Sequence, residues 1–129
     1  MNAVTIDIKD FITANIPKWV FGQNLFIARM PDQPNTCVTL YDINGTRPDL
    51  GLKKELYFRD AFQVVVRDVN YEQAMNNAWE LIDVLQGQYG LEFNGRTYTL
   101  VSVLLTPEVL EWDTKNRVSL IFSMEAQRK

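Results

Sequence analysis

Residues 61–87 read AFQVVVRDVNYEQAMNNAWELIDVLQG, and this stretch decides the fold. Its first part, with Phe58–Arg67, is dense in aromatic and β-branched residues, which suit a pleated and half-buried surface. Alternation puts Phe62, Val64 and Val66 on one face and Gln63, Val65 and Arg67 on the other. Val65 on the second face predicts a strand covered on both sides, hence central in its sheet. Asp68–Asn70 break the pattern, and Asn70 is suited to accept a free amide at a helix start. Tyr71, Ala74, Ala78, Leu81 and Leu85 then follow helical spacing, with Met75 and Ile82 widening the stripe. Glu72, Gln73, Asn76, Asn77, Glu80, Asp83 and Gln86 form the opposite, solvated face. Gly87 fits the left-handed position that closes a helix. A helix over about 70–86 would be roughly 24 Å long. A seven-residue strand at about 3.3 Å per residue is similar, so the helix can lie across the sheet as a lid.

Outward from this unit, Val4–Ile16 reads as a shorter amphipathic helix. Thr5 is its expected cap, Asp7 favours its positive start, and Ile8, Phe11, Ile12 and Ile16 share a face. Pro17 ends it. Lys18–Gln23 is a loop holding Trp19 and Phe21. Leu25–Met30 and Thr36–Tyr41 read as strands separated by the breaker-rich PDQPN, the second ended by the turn signal Asn44-Gly45. Thr46–Glu55 (TRPDLGLKKE) is read as a loop or extended arm on account of Pro48 and Gly51. Beyond the helix, Leu91–Phe93, the turn Asn94-Gly95 and Thr97–Leu105 form a hairpin running into a long strand. Thr106–Asn116 is read as a connection, Val118–Glu125 as a final alternating strand, and AQRK at the end as frayed. The order predicts a single α+β domain over residues 1–129. Its sheet is mixed and largely antiparallel, with two helices packed on one face and an extended arm.

Composition narrows function mainly by exclusion. At 129 residues, with 47% hydrophobic and 22% charged residues, the chain is ordinary for a globular domain that buries about two-thirds of its unfolded surface. No apolar run approaches the roughly twenty residues of a membrane span, and MNAVTIDIKD does not read as a signal peptide. The lone Cys37 implies a reducing compartment. A formal charge of −3 argues against a nucleic-acid-binding surface. The charge is uneven, because Asn70–Gly90 carries Glu72, Glu80 and Asp83 with no Lys or Arg. The arm has the opposite sign through Arg47, Lys53 and Lys54.

The chain contains no histidine, which removes Ser-His and Cys-His nucleophiles and histidine metal sites. Cys37, inside CVTLY, is read as a buried structural thiol. The glycines form neither a P-loop nor a dinucleotide fingerprint. Asp32, Asp42, Asp49, Asp60, Asp68 and Asp113 fall at predicted loops or strand ends, where solvated or turn-capping roles are the default. Trp19, Trp79, Trp112 and Phe21 are weighed as a ligand pocket against core or subunit-interface packing, with packing preferred. Arg67 and Arg117, each at a strand end, either pair across the sheet or with a neighbour, or make solvated salt bridges. No catalytic, cofactor or metal residue is assigned.

The ordered set of features resembles the small minor capsid proteins of tailed bacteriophages and, more broadly, their tail-terminator or tail-completion proteins. The resemblance is carried by MPDQPNTCVTLYD (residues 30–42), NG and the arm's RPD, FQVVVRD leading into NYEQAMNNAWELIDVLQG, FNGRTYTLVSVL (residues 93–104), WD, and RVSLIFSME (residues 117–125). It implies a structural protein of the virion's tail or neck, assembled in the host cytoplasm, that closes into a hexameric ring on the tail tube. The ring would stop tube polymerisation and present the head-joining surface. Its implied partners are itself, the tail tube protein and head–tail connector proteins. DNA would pass through the lumen without specific binding; no cofactor and no membrane are implied. Arg47, Asp49, Lys53 and Lys54 of the arm, and Glu72, Glu80 and Asp83 of the helix, are then the expected subunit or partner interface. A head–tail connector contacting the portal, or a small-molecule-binding domain using Trp19, Trp79 and Trp112, are the competing readings.

Overall fold

The computed structural model describes residues 2–43, 49–50 and 56–129, with backbone alone at 49, 50, 56 and 57. The turn signal Asn44-Gly45 and most of the arm, including Arg47, Pro48, Gly51, Lys53 and Lys54, lie outside the described residues.

The decisive stretch forms as its pattern predicts. Strand β4 (Leu56–Asp68) runs through Val69-Asn70 into helix α2 (Tyr71–Leu85), and the Asn70 side chain accepts the Gln73 amide at 2.9 Å. Gly87 follows at φ 79°, where a glycine carries no Cβ penalty. Before it stand α1 (Val4–Asn15), β1 (Leu25–Ile27), β2 (Cys37–Ile43) and β3 (Asp49–Leu50); after it come β5 (Leu91–Phe93), β6 (Arg96–Trp112) and β7 (Val118–Arg128). The sheet order is β1-β2-β4-β7-β6-β5, with β3 pairing the start of β4. Among the described strands, β1–β2 is parallel and the other pairs are antiparallel. β4 is therefore interior, as Val65 foretold, and Val65 is 3% exposed.

Both helices cover the same face. Phe62, Val64 and Val66 of β4 and Val118, Leu120, Phe122 and Met124 of β7 form one core with Ile8, Phe11 and Ile12 of α1 and Ala74, Ala78, Leu81 and Leu85 of α2. The two alanines let α2 pack close to the strands beneath it.

Several sequence expectations are corrected. Thr5 is not the α1 cap; Ala3 holds that position without a side-chain bond. Thr5 is buried and its hydroxyl donates to Asp42 at 2.8 Å. β1 stops at Ile27 because Ala28 turns to φ 63°. Thr106–Asn116 is not a connection, since β6 pairs with β7 out to Trp112 through register shifts on both sides of Pro107. Those bulges accommodate a proline and break the alternation that marks a strand. AQRK is not frayed, because β7 runs to Arg128, which is 3% exposed. Asn77 is not solvated either; it is buried and accepts from Lys18 Nζ at 3.1 Å. Tyr71, placed in the buried stripe, is 46% exposed at the helix start.

Candidate assembly surface

Most charged side chains singled out from the sequence are spent inside the molecule. Arg67 projects from β4 to the helix-free face and is 5% exposed. Its guanidinium donates to the carbonyls of Pro31 (2.8 Å), Asp32 (3.2 Å), Pro34 (2.7 Å) and Asn35 (3.3 Å). The planar fork thus pins the PDQPN loop beside the sheet. Arg117 clamps the same loop to the β6–β7 turn. Its Nε donates to Asp113 at 2.7 Å and its Nη2 to Asp32 at 3.1 Å, while Nη1 reaches the Asp32 carbonyl. Lys115 adds an ion pair to Asp32. Neither reading is realised as stated: Arg67 serves loop carbonyls in place of a partner across the sheet, and Arg117 makes its ion pairs with Asp32 and Asp113 from a buried position.

Hydrogen bonds from Lys115 and then Arg117 hold the Asp32 carboxyl below its ordinary value, and bonds from Arg117, first its backbone amide, do the same for Asp113. A depressed folded value means that the stabilisation is present above about pH 4 and is lost as pH falls through the folded values. Carboxyl-carbon shifts of Asp32 and Asp113 should therefore show midpoints below 3.8, the ordinary value. Midpoints at or above that would contradict the clamp.

A second network is buried between α1 and the sheet. Asp7, 1% exposed, accepts from the Tyr98 hydroxyl and from Asn94 Nδ2 at 2.5 Å, and lies 3.5 Å from Arg128 Nη1. Arg128 Nε donates to Asp60 at 2.7 Å. Burial, and then the bond to Asp7, raise the Tyr98 hydroxyl well above its ordinary value. The cavity beside this network, lined in part by Asp7, Phe11, Leu85 and Tyr98, holds about 10 Å³, room for about one water. Asp42 and Asp68 are structural as well: Asp42 accepts from Thr5, and Asp68 from Thr36 and the Asn70 amide. Cys37 is buried, and that burial pushes its thiol up. Among the described residues no group of three His, Cys, Asp or Glu is placed to hold a metal ion.

The expected interface residues are only partly brought together. Glu72 and Asp83 are exposed on α2. Glu80 is held from within by Lys18 Nζ at 2.8 Å. Asp49 belongs to β3, its side chain not described, and Arg47, Lys53 and Lys54 are outside the described residues.

The structure brings Trp79 and Trp112, weighed from the sequence for core or subunit-interface packing, to one exposed edge. On α2 the flank Met75–Trp79–Gln86 faces β6, because the Gln86 side chain accepts the Val103 amide at 2.6 Å. On β6, Val109 and Trp112 lie opposite the core residues Leu120 and Val118 and so point to the helix side. Trp79, Val109 and Trp112 are 42%, 45% and 55% exposed. Leu104, Leu105 and Leu110, also half exposed or more, lie on the same edge strand, with Leu105 opposite Ser123 and so on the helix-free face. Exposed Glu72 and Asp83 stand on the outer side of α2, and exposed Glu108 and Glu111 on the helix-free side of the same edge strand. Contiguous exposed apolar side chains with a polar rim mark an interaction site. The tryptophans are otherwise dispersed, Trp19 being 2% exposed in the core.

A profile of the family described as Bacteriophage tail terminator protein matches residues 7–129. No curated protein sequence matches the chain. Among solved structures, a chain from "Virion of native gene transfer agent (GTA) particle" superposes with a TM-score of 0.71 at 16% identity, covering 98% of this chain and 94% of that one. A second solved chain superposes with a TM-score of 0.58 at 14% identity, covering 98% and 91%. Both likenesses are likenesses of fold.

Proposed function

Since the chain belongs to the bacteriophage tail terminator family, we propose that it caps the tail tube as a closed ring, stops tube polymerisation and offers the surface to which the head joins. Membership makes it a structural, tail-completion protein; the ring and its joints are the finer reading. The observation that carries it is the family match over residues 7–129, with a fold shared by a chain of a gene transfer agent virion. A ring needs two unlike lateral faces, because a heterologous contact that closes makes a ring. Six copies are proposed, with the tail tube protein below and head–tail connector proteins above. An anionic subunit also suits a lumen through which DNA passes without phosphate contacts.

Within the ring, the basic arm of one copy, Arg47, Lys53 and Lys54 with Asp49 between them, meets the acidic outer face of the next copy's α2. Glu72 and Asp83 are the receiving carboxylates; Glu80 contributes less, being paired to Lys18. Lys53→Glu with Lys54→Glu should raise the concentration needed for ring assembly several-fold and flatten its salt dependence. Unchanged assembly in sedimentation at low salt would remove the arm from the interface. Tail length tests the role itself. Particles lacking the protein should carry overlong, unregulated tubes, whereas normal-length headless tails would assign it to the connector.

A further inference from the structure

From the two ends of the sheet we infer how neighbouring copies meet: the β1 end of one copy covers the apolar strip of β6 and α2 on the next. This rests on the ring reading and names its contact.

The two ends are unlike and complementary. At the β6 end, Trp79, Val109 and Trp112 stand half exposed on the helix side, with Glu72 and Asp83 on α2 and Glu108 and Glu111 on the other side of the same edge strand. α2 and β6 beyond Arg96 carry no Lys or Arg. At the β1 end, Val20 and Phe21 are 39% and 50% exposed. Lys9 Nζ sits 4.7 Å from the Phe21 ring centroid but is itself paired to Asp10 at 2.9 Å, so its charge is largely met within the chain. Arg29 is exposed and is engaged by no carboxylate among the described residues. One end therefore offers apolar side chains with unpaired carboxylates along the same edge, and the other offers apolar side chains with the exposed cation of Arg29 on the strand's far side. The pairing buries apolar area and matches charge at the rim.

Position makes the contact head-to-tail. β1 is one end of the strand order, and β6 lies at the other end, where β5 covers only its first residues. A patch at one end that fits the opposite end of an identical chain is heterologous, and repetition closes a ring or runs on as a filament. Addition of a strand to the β6 edge is disfavoured. The outer half of β6 carries Pro107 and three register shifts between Val103 and Glu111, the devices that block continuation of a ladder. The neighbour docks through side chains, straddling the edge.

The test uses two full-length variants, each spoiling one end: Phe21→Asp, and Val109→Asp with Trp112→Asp. All three sites are exposed, and melting curves verify folding; Trp79→Asp replaces the double variant if that one unfolds. Each variant alone should need at least about tenfold more protein to assemble than the unaltered chain, as expected for central aromatic anchors. Mixed in equal amounts, they should form dimers that do not grow, since one intact end of each remains. Variants that assemble like the unaltered chain, or a mixture that stays monomeric, overturn this contact and leave the ring reading standing. An unaltered chain that stays monomeric even on purified tail tubes overturns the ring reading, and this contact with it.

Discussion

Replacing Arg67 by methionine is expected to cost about 3–4 kcal/mol of folding stability, because a charged donor to several carbonyls is removed from a nearly closed site. Arg67 serves four carbonyls of residues 31–35 from 5% exposure. Methionine fills a similar volume but satisfies none of them. Each hydrogen bond to a charged group contributes about 1.5–3 kcal/mol, and water entering the loosened loop returns part of the loss. Lysine should not rescue, since its single ammonium cannot span carbonyls arranged around a planar fork. Domains of this size hold only about 5–15 kcal/mol in total, so the shift in the urea midpoint should be plain. Amide exchange should quicken first in residues 31–36. A loss under about 1 kcal/mol would mean that the loop does not depend on the arginine.

Asp7→Ala should be comparably damaging, at about 3–5 kcal/mol, because breaking a buried charged pair from one side leaves the other charge uncompensated. Arg128 would keep Asp60 at 2.7 Å, but the Tyr98 hydroxyl would lose its acceptor and Arg128 Nη1 the carboxylate 3.5 Å away. The change would act on α1, β6 and β7 together, so cooperative unfolding should shift as one transition. The same network fixes an alkaline limit. The Tyr98 hydroxyl is raised in the folded state, so its contribution is complete below the ordinary tyrosine value of about 10 and is lost as pH rises beyond it. Thermal melts should therefore fall above about pH 10 in the unaltered protein. A melt of Asp7→Ala within a degree or two of the unaltered chain would contradict the network's role.

How far the sequence could be read depends on where each residue finds its partner. The β4–α2 unit was legible because its signals are local: Asn70 caps the helix that follows it, and Ala74, Ala78 and Leu81 declare the buried face through spacing alone. The core side of β7 was legible for the same reason. The outer half of β6 was not. Its bulges shift the phase of alternation, and Pro107 with Asp113-Thr114 imitates a loop, so a strand held only by its pairing to β7 looked like a connection. Arg128 looked like a solvated terminus because Asp60 and Asp7, its partners, lie far away in the chain. Arg67 was recognised as a strand-end cation, but backbone carbonyls carry no sequence signal, and its four acceptors could not be foreseen.

The two halves of the candidate site differ in the same way. Glu72 and Asp83 were visible on the polar face of a well-marked helix, whereas Glu80 was claimed internally by Lys18, 62 positions earlier. Val109, Leu110 and Trp112 went unread as one exposed edge because they sit on the half-strand mistaken for a connection. A mean exposure near one-half is meaningful there because the residues share one edge; scattered, they would need no explanation.

The ring is tested most directly by the native mass of the purified protein across a wide concentration range, alone and with tail tubes, with electron micrographs of the same samples. The account predicts closed rings of about six copies with a central hole, present at high concentration or at tube ends. A chain that remains monomeric at every concentration and leaves tube ends bare would contradict it.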